Sequence, residues 1–290
     1  MELISQHTCF GGQQRFYKHD SKEIGLPMRF SVFLPPQAAH DSAHASVPAL
    51  IYLAGLTCNE ETFMVKAGAQ RMAAELGLAL IAPDTSPRGA NVAGEAESWD
   101  FGVGAGFYLD ATHTPWSKNW RMESYITQEL LPLVTQNFAV DVQRIGIFGH
   151  SMGGHGALTL ALRHPGLFKS VSAFAPICAP MQCPWGRKAF AGYLGADEST
   201  WAAHDATALM RSLSLAPYPG SILIDQGLAD KFLAEQLHPH LFEAACEAAG
   251  QPLTLREHAG YDHGYYFVAS FMADHLRHHA HQLADNLLYI

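Results

Sequence analysis

Residues Arg144 to Pro165 read RIGIFGHSMGGHGALTLALRHP, and at their centre Ser151 is flanked by Gly149 and Gly153, each two positions away. The apolar RIGIFG before it has the character of a buried strand, and GGHGALTLALRH after it has helical spacing with small residues on the first turn. A serine at such a strand-to-helix turn is a nucleophile elbow, in which glycines permit close backbone approach and the turn holds the hydroxyl clear of the sheet. There the Met152 N–H, at a helix N-terminus, can help stabilise an oxyanion. An ordinary glycine-rich turn is the competing reading, and the strand-turn-helix context argues against it.

Outward from this stretch the chain alternates strands and helices. QRFYKH and MRFSVFLP alternate apolar and polar residues, as half-buried antiparallel strands do. PALIYLAGL, LALIAPD, SVSAFAP and SILIDQG are short apolar runs suited to strands covered on both faces, and PLTLRE adds another strand. Between and after them, ETFMVKAGAQRMAAELG, ESYITQELLPLVTQNF, EQLHPHLFEAACEAAG and GYYFVASFMADHLRHHAHQ have helical spacing. The pattern predicts an α/β fold: a mostly parallel central sheet with helices on both faces and antiparallel N-terminal edge strands. Reactive groups in such sheets gather at the carboxyl ends of the strands.

A serine hydroxyl needs a base and an orienting acid, which on this topology follow in the order Ser, Asp or Glu, His. Two acids come after SILIDQG. Asp225, at the strand end, can bond the turn backbone, whereas Asp230 lies in the loop beyond, a position from which a side chain reaches a neighbouring loop. Of the seventeen histidines, His258 and His263 fit both the chain order and a loop position, and His263 stands at the mouth of the last helix. His275, His278, His279 and His281 read as a polar helix face, because they lack a metal-ligand partner pattern.

The second oxyanion donor belongs in the loop YLAGLTCNEETF, where Leu56 would supply its N–H. Cys58, two residues on, is a candidate for the pocket wall. Residues 86–122 form a connection too long to be idle in a compact domain, rich in glycine and in aromatics that include Trp99, Phe101, Trp116 and Trp120. Such a loop either packs on its own aromatics or walls the substrate pocket, with Trp99 a candidate lining residue.

Composition sets limits on function. The chain has 290 residues, 48% of them hydrophobic and 16% charged, with no linker-like run, which predicts one domain over residues 1–290. A net charge of −9 and scattered basic residues exclude nucleic acid as a partner. The N-terminus has no signal-like pattern and no segment has the length of a membrane span, so a cytoplasmic protein without a membrane partner is expected. Five cysteines, Cys9, Cys58, Cys178, Cys183 and Cys246, without a CxxC pair fit reduced thiols and no metal site.

The motifs GLTC, APDTSPRG, SWDFGVGAGFYLDAT, PWSKNWRMESYITQELLPL, IFGHSMGGHGALTLALR, FKSVSAFAPICAP, ILIDQGLADKFL and YDHGYYF together resemble the S-formylglutathione hydrolase, or esterase D, family across nearly the whole chain. The resemblance implies an α/β-hydrolase fold, a homodimer, and hydrolysis of S-formylglutathione to glutathione and formate in formaldehyde removal, and no cofactor is expected. By motif it makes Ser151 the nucleophile, Asp230 the acid and His263 the base, with Leu56 and Met152 as the backbone oxyanion donors. A broad carboxylesterase, or an acyltransferase with an alcohol as acceptor, would use the same triad. Three residues depart from the family pattern: Ala54 and Gly264, where serine is usual, and His113, where an acid is common.

Overall fold

The computed structural model describes residues 1–39 and 46–285. Its strands are β1 (Glu2–Cys9), β2 (Gly12–Asp20), β3 (Pro27–Leu34), β4 (Val47–Leu53), β5 (Ala79–Pro83), β6 (Val140–His150), β7 (Ser170–Phe174), β8 (Ile222–Gly227) and β9 (Leu253–His258). They form one sheet in the order β1-β2-β3-β5-β4-β6-β7-β8-β9. The pairings from β1 to β5 are antiparallel, and those from β5 through β4 to β9 are parallel. The antiparallel edge and parallel body match the sequence expectation. Every residue of β5, β7 and β8 is buried, as strands covered on both faces require.

The helices are α1 (Pro36–Ala39), α2 (Thr62–Lys66), α3 (Gln70–Leu76), α4 (Met122–Ser124), α5 (Leu131–Asn137), α6 (Met152–Arg163), α7 (Pro184–Tyr193), α8 (Ala206–Ser212), α9 (Pro239–Ala249) and α10 (Tyr265–Asp285). Helix α6 packs on β4, β6 and β7 from one side, and α10 covers β6, β7 and β8 from the other. Strand β7 makes the division visible. Ser170 and Ser172 hydrogen-bond with histidines of α10, while a Cβ placed on Gly154 of α6 would lie 3.4 Å from Ala173. This arrangement is the α/β-hydrolase fold. Among the described residues no helix is long and apolar enough to cross a membrane.

Some elements differ from the sequence expectation. Strand β1 carries no strand signal in the sequence, because its residues are exposed or only half-buried and so lack apolar alternation. The hairpin turn makes it instead, with Phe10 (φ 48°) and Gly11 (φ 76°) both at positive φ between paired Cys9 and Gly12. The helix expected over residues 61–77 is two helices, α2 and α3, separated by Gly68 at φ 65°. Helix α9 begins at Pro239, not before it, because His238 preceding the proline adopts φ 50° and ends the turn of Leu233–Leu237. Helices α7 and α8, between β7 and β8, add to the helices expected from the sequence.

Candidate active site

Ser151 connects β6 to α6 with φ 58° and ψ −119°, a conformation that strains any residue with a Cβ. The surroundings hold it there. Its N–H donates to the Phe174 carbonyl at 2.9 Å, and its own carbonyl accepts from His155 N–H at 3.0 Å and Ile177 N–H at 3.3 Å. The flanking glycine is obligatory, since a Cβ on Gly149 would sit 2.2 Å from the Gly153 carbonyl oxygen.

The loop after β4 is fastened from several directions. Tyr108 donates its hydroxyl to the Ala54 carbonyl at 2.8 Å, and Thr57, at φ 67°, donates its N–H to Gly104 at 2.9 Å. The Cys58 carbonyl accepts from Thr85 Oγ1 at 2.6 Å and from Arg88 Nη2 at 3.2 Å, and Arg88 is itself clamped by Asp84 at 2.6 and 2.8 Å. Among the described residues neither Leu56 nor Met152 donates its N–H to a protein acceptor. Two backbone donors near Ser151 thus remain available for a developing negative charge.

Asp230 and His263 are 33 positions apart, and the close approach of their two loops brings them together. Leu228 donates its N–H to the His258 carbonyl and Ala229 donates to Tyr261, each at 2.9 Å. A Cβ on Gly227 would lie 2.4 Å from the Tyr261 oxygen. The result is a 2.5 Å contact between His263 Nδ1 and Asp230 Oδ2. Asp230 is buried, and its Oδ1 accepts the Phe232 N–H at 2.8 Å. With Nδ1 so engaged, Nε2 is the nitrogen of His263 left for chemistry. The ring is held edge-on to Phe232 and tilted against His150, with centroids 5.1 and 4.6 Å away.

Ser151, His263, Leu56, Cys58 and Trp99 all line one cavity of about 230 Å³. Among the other lining residues, sequence reasoning missed Lys66, His150, Trp185, Phe232 and Tyr265. Three of these adjoin residues that were singled out: His150 next to Ser151, Phe232 two beyond Asp230, and Tyr265 two beyond His263. Trp185 comes from α7 and adjoins no such residue in the sequence. Burial and the neighbouring His263 hold the His150 imidazole well below its usual pKa, so it is neutral. Burial raises the Cys58 pKa, so it is a thiol and not a thiolate at neutral pH.

The segment 86–122 divides its aromatics between the two tasks expected of it. Phe101 stacks on Tyr193 and meets Trp116 edge-on, Trp116 meets Trp120, and these rings pack the loop. Trp99 is 55% exposed and lies edge-on to Trp185 at the cavity. Ala54, Gly264 and His113, the departures from the family pattern, do not line the cavity.

The competing residues are committed elsewhere. Asp225 is buried and forks onto Arg256 Nε and Nη2, both at 2.6 Å. His258 lies 3.3 Å from Asp225 and stacks on Phe271. The C-terminal histidines correct the expectation of a polar face. His275 and His279 are fully buried against the sheet, where both pair with Ser172 at 2.8 Å and His279 also pairs with Ser170 at 2.6 Å. They face inward because polar serines of β7 supply partners that a buried imidazole needs.

A family model described as "Putative esterase" matches residues 21–278. A fluorophosphonate-binding serine hydrolase of Staphylococcus aureus shares the fold at 20% identity and TM-score 0.74, over 93% of this chain and 98% of its own. The protein is an α/β-hydrolase of the serine esterase class. The S-formylglutathione hydrolase of Rattus norvegicus is 56% identical over 98% of this chain and 99% of its own, and that of Paracoccus denitrificans 53% over 97% and 98%. A solved S-formylglutathione hydrolase from Agrobacterium tumefaciens superposes with TM-score 0.93 at 49% identity, covering 98% of this chain and all of its own. The chain belongs to the S-formylglutathione hydrolase family.

Proposed function

We propose that the protein hydrolyses S-formylglutathione to glutathione and formate, with Ser151 as nucleophile, His263 as general base and Asp230 as the acid that orients it. The observation that carries this reading is the Asp230–His263 contact on the same cavity as a strained, glycine-flanked Ser151. His263 Nε2 takes the hydroxyl proton as Ser151 Oγ attacks the formyl carbon, and Asp230 keeps the imidazole in the Nδ1–H tautomer. The oxyanion is held by the N–H groups of Leu56 and Met152. Collapse expels the glutathione thiolate, which takes up the proton held on His263 Nε2, and leaves a formyl ester on Ser151. The neutral imidazole then deprotonates the attacking water and returns that proton to Ser151 Oγ as formic acid leaves and ionises to formate.

The chemistry suits a thioester, because a thiolate whose conjugate acid has a pKa of about 8.5 leaves without prior protonation. The formyl group is small, so binding energy has to come from the peptide part of the substrate. Hydrolysis of S-formylglutathione is to be measured beside that of a short aryl ester, in wild type and Ser151→Ala. A strong thioester preference that vanishes in the variant is expected. Brisk aryl-ester turnover with a poor thioester rate would redirect the assignment to a broad carboxylesterase or an alcohol-accepting acyltransferase.

A single folding unit, a homodimer and a cytoplasmic setting belong to the same proposal. Free cysteines, two of them partly accessible, suit a reducing compartment, and the apolar Leu3, Ile4 and Phe10 lie exposed at the β1 edge. Sedimentation equilibrium tests the dimer.

A further inference from the structure

We infer that Lys66, the last residue of α2, is a specificity residue that pairs with a carboxylate of the glutathionyl portion of the substrate. The inference rests on the thioesterase reading above. Among the described residues that line the cavity, Lys66 is the only lysine or arginine, and no aspartate or glutamate lines it. In a chain of net charge −9, an isolated cation at this position is informative. Of the cations on adjoining elements, Lys188 is committed to Asp100 and Ser98 and Arg88 to Asp84, while Lys231, 4.9 Å from the centroid of the Phe232 ring, is not part of the cavity lining. No carboxylate among the described residues pairs with Lys66. Its ammonium instead lies 5.9 Å from the centroid of the Tyr265 ring, on the wall shared with Cys58 and Thr62.

Size directs the ligand toward it. At about 230 Å³ the cavity falls below the roughly 300–1,000 Å³ of sites that enclose drug-sized ligands. The formyl thioester can therefore sit beside Ser151 only if the tripeptide extends outward along the rim. Trp99 and Lys66 are both exposed there. Trp99, with Trp185 and Phe232, offers apolar surface and no charge, whereas the tripeptide ends in carboxylates. The ammonium supplies the missing complement, and it can do nothing comparable for an uncharged aryl ester. Lys66 thereby separates the two substrate classes through binding, not through the chemical step.

The test compares wild type, Lys66→Met, Lys66→Arg and the remote Lys169→Met on S-formylglutathione and 4-nitrophenyl acetate, at low and high salt. The Met variant should lower the thioester-to-aryl-ester ratio of kcat/KM on the order of fivefold, through a higher thioester KM. Arg at position 66 should recover most of the ratio, and salt should raise the thioester KM of wild type more than that of Lys66→Met. Lys169→Met removes the same charge far from the cavity and should leave the ratio as it is. An unchanged ratio in Lys66→Met, or an equal drop from Lys169→Met, overturns the role of Lys66 while the activity assignment stands. A wild type inert toward S-formylglutathione overturns both.

Discussion

A Cβ on Gly153 would lie 1.9 Å from the carbonyl oxygen of Leu53, so the first turn of α6 is in direct contact with the backbone of β4. No side chain can yield to make room. Gly153→Ala has to displace β4, the strand that leads into the Leu56 loop. A loss of about 3 kcal/mol or more in unfolding free energy is expected, together with lost activity. Urea denaturation checks this, and a midpoint within error of wild type would refute the contact as drawn.

Asp230→Asn should separate activity from stability. The amide retains the shape but can no longer favour the Nδ1–H tautomer of His263. By analogy with serine proteases kcat falls on the order of 10⁴-fold. Circular dichroism and thermal melting should change little. A kcat within tenfold of wild type would mean that Asp230 does not orient the base.

Asp225→Ala should do the reverse. It leaves Arg256 without its forked partner and removes the carboxylate beside His275 and His258. Breaking a buried pair on one side costs about 3–5 kcal/mol, so the melting temperature should drop well below that of Asp230→Asn. Equal melting temperatures for the two variants would contradict the division of roles between these acids.

Arg88 holds the oxyanion loop through the Cys58 carbonyl while Asp84 holds Arg88. Arg88→Ala should lower kcat on the order of tenfold with a smaller change in KM, because the Leu56 donor shifts while the cavity wall persists. Lysine should rescue poorly, since it cannot reproduce the fork. Steady-state kinetics on one substrate decide the matter, and a pure KM effect would rule out a positioning role.

Acid should unfold the protein early. Burial lowers the pKa of His155 and of His278 to about 4 and that of His204 to about 3, against an ordinary value of 6.5. Below pH 6.5 the unfolded chain binds protons that the folded chain refuses. The stability these groups contribute is therefore present above about pH 6.5 and is lost as pH falls toward 4. Each contributes a slope of up to about 1.4 kcal/mol per pH unit in that window. Melting temperatures from pH 7.5 to 4.5 should fall steadily below 6.5, and a flat profile would mean these histidines take up protons in the folded state.

The sequence by itself determined the parallel sheet, its antiparallel edge and the elbow at Ser151. Continuous apolar runs, strand-helix alternation and paired glycines are local consequences of burial and backbone geometry, so they are written in adjacent residues. Asp230 and His263 could be nominated only by chain order and loop position. What excludes Asp225 is Arg256, and what joins Asp230 to His263 is the approach of Gly227 to Tyr261, both contacts between segments some thirty residues apart. Strand β1 has no buried face and α7 no link to a motif, so neither the outer edge nor the Trp185 wall left a periodic trace. The inward turn of His275 and His279 depended likewise on Ser170 and Ser172 a hundred residues earlier. Tertiary structure decided these points because a polar side chain is buried or exposed according to the partners that folding brings to it, and those partners are not its neighbours in the chain.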